Sequence, residues 1–211
     1  MLPLDLGNCR IVDLSVRLVP GQEARRLEIR RGIIESDDTF MHEIDMMSHV
    51  GTHVEAPAHF YEGGKDITEL PLHRFLGRAV LLNLTHLQPR ADIAPADLER
   101  AAADTCVEGA ILVLHSPHQG DQAPNLTREA AEWMAQRNCQ MLAIGNTVGL
   151  GRNAQVTREV HDALMSADVP FLEVLSGLDD LRQREFILVA LPLKIAGLDS
   201  SPVRAIAIEG L

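Results

Sequence analysis

Residues 48–60 read Ser48-His49-Val50-Gly51-Thr52-His53-Val54-Glu55-Ala56-Pro57-Ala58-His59-Phe60. His49, His53, Glu55 and His59 all stand at odd positions, whereas Val50, Thr52, Val54, Ala56, Ala58 and Phe60 fill the even ones. Side chains alternate between faces along an extended chain, so one face is imidazole and carboxylate and the other almost wholly apolar. A helix fits poorly, because Gly51, Pro57 and the β-branched Val50, Thr52 and Val54 all oppose one. A flat strand is not sufficient either. At ~3.3 Å per residue it would hold His49 about 13 Å from His53, too far for one ion bound at ~2 Å. The chain must therefore turn between them, and Gly51 is the residue able to adopt the required φ. Imidazole with carboxylate suits zinc, manganese or iron, and the missing thiolates argue against a purely structural zinc site.

Two residues further on can complete such a site. His161 lies in a segment, 157–167, where Val160, Ala163, Leu164 and Ala167 form an apolar helical stripe, so it is expected at the edge of a buried face. Glu173 interrupts the run Val169-Pro170-Phe171-Leu172-Glu173-Val174-Leu175, where a carboxylate is costly to bury without a cation or donors. His115 and His118 end a strand, a common place for a pocket wall. His42, His73 and His86 read as surface or loop residues.

Around these residues, short aliphatic runs recur at 11–16, 27–30, 79–84, 111–114, 141–144, 186–193 and 205–208, each bounded by turn formers and each reading as a strand. Residues 40–47 alternate less cleanly but can also extend. Helices are expected at 95–103, at 125–137 with Thr127 as N-cap and Asn138 just past its end, and at 157–167. No repeat or linker divides the chain, so 1–211 is expected to form one mixed α/β domain.

Composition excludes several partners. Of 211 residues 19 are basic and 30 acidic, a formal net charge of −11. Such a chain repels phosphate, and no Lys/Arg cluster or aromatic platform offsets this, so neither nucleic acid nor an anionic membrane is expected. Cys9, Cys106 and Cys139 form no C-x-x-C pair and suggest no disulfide framework. Met1–Leu6 lacks a basic leader pattern and no long apolar run follows, which points to a cytoplasmic protein.

The spacing His49-x-Gly51-Thr52-His53-x-Glu55-Ala56-Pro57-x-His59 resembles the H-x-G-T-H-x-D-A-P-x-H signature of the metal-dependent cyclase family, which includes bacterial kynurenine formamidases and isatin hydrolases. The resemblance runs along nearly the whole chain. Ile11-Val12-Asp13-Leu14-Ser15 looks like the family's opening strand, Glu129-Ala130-Ala131-Glu132-Trp133 like its E-A-A-x-W helix, and Pro192-Leu193-Lys194 with Ser201-Pro202-Val203-Arg204-Ala205 like its closing segment. It implies a single-domain swivelling β/β/α fold, a homodimer or homotetramer, and one or two divalent ions, zinc or manganese. Carried over, His49, His53 and Glu55 hold the first ion. His161 and Glu173, with Glu55 bridging, hold the second, and His59 is a ligand or the proton-transferring group. The implied reaction is hydrolysis of a small-molecule amide, lactam or lactone by metal-activated water.

The chain departs from that pattern at several points. Glu55 replaces the usual aspartate, and Gly145-Asn146-Thr147 stands where an acidic loop is common. The strand ending at His115-Ser116-Pro117 lacks the family's T-G-W, and Val19-Pro20-Gly21-Gln22-Glu23 replaces W-P-G-D. With its only tryptophan at Trp133 on a helix, the chain is poorly equipped to stack an aryl substrate. Two rival readings make different demands. A mononuclear non-haem iron oxygenase using His53, Glu55 and a distant histidine needs an all-β barrel. A non-catalytic metal-binding or scaffold protein of the same fold predicts weak or absent metal binding and no hydrolysis of formamides, lactams or lactones.

Overall fold

A computed structural model describes residues 9–34, 36 and 39–210; the opening stretch 1–6 lies outside them. The elements in order are β1 (Arg10–Asp13), β2 (Leu27–Ile34), β3 (Thr39–Met46), β4 (His53–Glu55), β5 (Leu76–Asn83), β6 (Asp92–Ile93), α1 (Pro95–Ala102), β7 (Ile111–His115), β8 (Asn125–Leu126), α2 (Arg128–Gln136), β9 (Met141–Gly145), α3 (Ala154–Met165), β10 (Phe171–Leu175), β11 (Glu185–Val189), β12 (Ser200–Pro202) and β13 (Ile206–Glu209). This is the mixed α/β class expected, and it excludes the all-β barrel that the oxygenase reading requires.

Nine strands form one sheet in the order β1-β13-β11-β5-β7-β9-β10-β4-β12. The centre, β5-β7-β9-β10, is parallel, and its successive connections carry α1, α2 and α3. Both faces of the centre are buried. In β7, Leu112 and Leu114 pack towards the helices with Leu98, Met134 and Leu164, while Ile111 and Val113 face Val12, Phe75 and Phe186 on the other side. Burial on both faces is why these strands read as unbroken aliphatic runs. Beyond β1 the chain crosses to the far part of the sheet, where Ser15 pairs with Leu175, and the sheet curls accordingly.

Several boundaries differ from the sequence reading, each for a local reason. The strand expected at 11–16 spans Arg10–Asp13, because the chain then leaves β13 for its bridge to β10. The strand expected at 186–193 ends at Val189, just before the Leu191-Pro192 step, and proline has no N–H for a ladder. Asn125 and Leu126 belong to β8 rather than to the first turn of α2, since Thr127 is the extended N-cap and accepts from the Ala130 N–H. Asn138 takes the left-handed φ of 53° expected of a residue after a helix. Helix α3 begins at Ala154, ahead of the apolar stripe, because the Asn153 side chain caps it by accepting from Val156 N–H.

Candidate metal centre

Strand β4 is only three residues long. Before it Gly51 adopts φ +65°, the turn the sequence demands, and a Cβ there would stand 2.5 Å from Leu18 Cδ2. After it Pro57 opens a 3₁₀ turn, Pro57–His59, so the extended alternation stops short of His59, which is carried in by that turn. The even-numbered face is buried as expected at Val50, Thr52, Val54 and Ala56.

Strand β10, which hydrophobic pattern alone does not single out, pairs antiparallel with β4 and sets Glu173 opposite His53. Its next residue, Val174, has φ 60°, and the register to β9 shifts there. Helix α3 brings His161, whose ring is stacked on Phe60 and tilted against Phe171 at centroid distances of 5.4 and 4.8 Å. All six predicted residues, His49, His53, Glu55, His59, His161 and Glu173, thus meet in one place from β4, its flanking turns, α3 and β10.

Four imidazoles converge on Glu55. His49 Nδ1, His53 Nε2 and His59 Nε2 lie 2.6, 3.2 and 3.9 Å from Oε1, and His161 Nε2 lies 3.9 Å from Oε2. Each ring is held by its other nitrogen. His53 Nδ1 donates to the Gly51 carbonyl and His161 Nδ1 to the Thr157 carbonyl, both at 2.7 Å. His49 Nε2 and His59 Nδ1 both reach Asp199 Oδ2, at 2.8 and 3.0 Å. A backbone carbonyl only accepts, so Nδ1 of His53 and of His161 carries a proton and each Nε2 faces inwards, a donor to the carboxylate when it too is protonated and a lone pair for a cation when it is not. Glu55 Oε2 is buried without a hydrogen-bond partner among the described residues. A buried carboxylate with one donor-free oxygen, and with imidazole nitrogens of His49, His53 and His59 facing Oε1 and that of His161 facing Oε2, fits a divalent cation, whose charge and Lewis acidity satisfy both.

By distance the ligand atoms fall into two groups sharing Glu55, namely His49–Glu55–His59 and His53–Glu55–Glu173, each within 4.8 Å. The division implied by the family resemblance puts His53 with His49, and His161 with Glu173. In the structure His59 stands with His49 and Glu173 with His53, while His161 flanks Glu55 Oε2.

The electrostatics divide the two glutamates. Burial alone would raise Glu55, but hydrogen bonds from His49 and His53 and the nearby His59 hold it below the ordinary carboxylate range. Glu173 lacks such donors, and burial together with the Glu55 charge pushes it up to about 7. Burial lowers His161 and favours the neutral, ligating form. His49 is also buried, yet its bonds to Glu55 and Asp199 raise it.

Asp199 is the participant that sequence reasoning misses. It lies 150 residues from His49, and its only local signal is an acid at the start of the Ser201-Pro202-Val203-Arg204-Ala205 segment. Beside the cluster is a cavity of about 380 Å³ whose lining includes Val16, Arg17, Arg25, His49, His53, Glu173 and Val174, with no Phe, Tyr or Trp among the described residues. A second cavity, about 280 Å³, lies at the carboxyl ends of β7, β9 and β10 and shares Val16 and Val174 with the first. His115 is on its wall, as expected, bonded to Thr147 and Asp179. Trp133 is remote from the cluster, its indole N–H bonded to Glu99 and its ring covered by Arg137.

Fold and cluster together define an α/β protein in which imidazoles and carboxylates from distant segments converge on one buried carboxylate. The family model described as putative cyclase matches residues 12–147, and the chain belongs to that family. It is 30% identical over 169 residues to a kynurenine formamidase of Maricaulis maris, covering 79% of each chain. It is also 30% identical to one of Sphingopyxis alaskensis, covering 95% of this chain and 98% of that one. Among solved structures, isatin hydrolase A from Labrenzia aggregata superposes with a TM-score of 0.78 at 24% identity, over 96% of this chain and 94% of that one.

Proposed function

We propose that the protein is a metal-dependent hydrolase that cleaves the C–N bond of an amide, either a formamide or a lactam, with lactones as the related ester substrates. The convergence of four imidazole nitrogens on the donor-free oxygen-bearing Glu55 carries this reading. The kynurenine formamidase relatives support the choice of amide chemistry.

His49, His53, Glu55, His59, His161 and Glu173 would hold zinc or manganese, as one or two ions. A divalent cation there supplies Lewis acidity, acidifying water and polarising a carbonyl. The chain supplies the rest. His59 is the most open of the four rings, its side chain 38% exposed against 11% or less for the other three. It can therefore exchange a proton with a substrate bound at the cluster, and we assign it the protonation of the leaving nitrogen. The lack of aromatic rings among the described residues lining the cavity beside the cluster favours a substrate held by polar contacts over one held by aryl stacking.

The test is turnover of zinc- and manganese-loaded protein against N-formylkynurenine, isatin, simple formamides and lactones. Hydrolysis of at least one substrate is expected, falling about 10²–10⁴-fold in His59→Ala. Absence of turnover in the loaded protein across that panel would favour the scaffold reading.

We further propose that the working form is a homo-oligomer joined through the β2/β3 ribbon. One face of this ribbon presents Ile29 opposite Ile44 and Ile33 opposite Phe40, all largely exposed. A two-stranded ribbon is marginal in water unless its apolar face is covered. A second copy offers the same face, and the ribbon springs from the Arg25 and His49 rim of the cavity. Light scattering is expected to give a multiple of the chain mass, reduced to the monomer in Ile29→Asp/Ile44→Asp. A monomeric wild type would overturn this assembly and leave the chemistry untouched.

A further inference from the structure

Asp199 immediately precedes β12, the edge strand beyond β4. Ser48 Oγ donates to its Oδ1 at 3.1 Å, and its Oδ2 receives both His49 Nε2 and His59 Nδ1. The two rings lie against each other at a centroid distance of 4.3 Å, so one oxygen reaches both. The other two histidines need no such side chain, since backbone carbonyls take their outer protons.

A neutral imidazole carries its proton on one nitrogen, and the hydrogen bond made there decides which nitrogen offers the lone pair. We propose that Asp199 is a positioning residue for the metal centre: by accepting from His49 Nε2–H and His59 Nδ1–H, it aims His49 Nδ1 and His59 Nε2 at the cation position beside Glu55 Oε1. The role rests on the reading of the cluster as a cation site. Glu55 Oε1 is 2.6 Å from His49 Nδ1 and 3.9 Å from His59 Nε2, so the two aimed nitrogens face the same carboxylate oxygen. Asparagine in place of Asp199 keeps an oxygen that can accept from both rings but removes the charge, and hydrogen bonds to a charged acceptor are roughly twice as strong as neutral ones, so both imidazoles are held less firmly.

The experiment has two parts. Full-length metal-free protein is titrated with zinc against a chromophoric chelator for wild type, Asp199→Asn and Asp199→Glu, with thermal melts run alongside. Zinc-loaded wild type is then examined by long-range ¹H–¹⁵N correlation spectra of its imidazoles. Zinc affinity is expected to fall about 10–100-fold in Asp199→Asn and to recover in part in Asp199→Glu. The spectra are expected to place the remaining protons on His49 Nε2 and His59 Nδ1. Wild-type affinity in Asp199→Asn, or the proton of either ring on the opposite nitrogen, overturns the role while leaving the metal centre standing. Failure of the wild type to bind zinc removes the centre and the role together. If both variants fail to fold, the wild-type spectra decide.

Discussion

Glu55→Gln is expected to lose zinc or manganese affinity by more than the ~10–100-fold typical of an outer hydrogen-bond partner, and hydrolysis by on the order of 10³-fold. The isosteric amide keeps the volume and removes the charge on which His49, His53, His59 and His161 converge. It also turns an N–H₂ towards rings whose inward nitrogens already donate or wait for a cation. Glu55 belongs to both ligand groups, so no other single substitution is expected to remove as much. Metal content after dialysis, read by plasma mass spectrometry beside the rate, checks the result. Undiminished metal content in Glu55→Gln would show that the cation lies elsewhere.

Glu173→Gln is expected to do two opposite things. In chelator-treated protein at pH 8 it stabilises the fold by ~2–3 kcal/mol, raising Tm by roughly 5–10 °C. Burial and the Glu55 charge push Glu173 up to about 7 from 4.5, so the folded state holds this proton more tightly than the unfolded chain. The associated stability is present below about 4.5 and lost as pH rises through about 7, which leaves a charged, poorly solvated carboxylate at pH 8. The variant escapes that cost and its advantage disappears at pH 4. With saturating zinc the order reverses, because wild type gains ligand-linked stability that the variant forgoes. Melting curves with and without zinc at both pH values test this, and no gain at pH 8 without metal would contradict the burial argument. A site whose removal stabilises the empty protein is one retained for what it binds.

Much of this centre is legible in residues 48–60 because its constraints are local. The Gly51 turn, the buried even-numbered face and the inward His53 and Glu55 follow from backbone geometry within a few residues. His161 is legible at one remove, since the helical stripe of α3 places it at the margin of the buried face. Glu173 announces itself by the cost of a carboxylate in an apolar run. The ends of elements are harder to read: Thr127 capping is local and legible, but the short β6/β8 pair that takes Asn125 and Leu126 out of α2 depends on partners distant in the chain.

What the sequence by itself determines is the mixed α/β class, the turn at Gly51 and the chemistry of the donor set, because period, φ preference and ligand type are properties of single segments. Tertiary structure alone decides how the donors are combined. The β4–β10 register puts Glu173 opposite His53, the Pro57–His59 turn folds His59 back beside His49, and the chain before β12 delivers Asp199 to both outer nitrogens. Those pairings are set by strand register and by contacts spanning up to 150 residues. A one-residue slip there would turn every side chain to the opposite face, and only the packing of the whole sheet holds it in place.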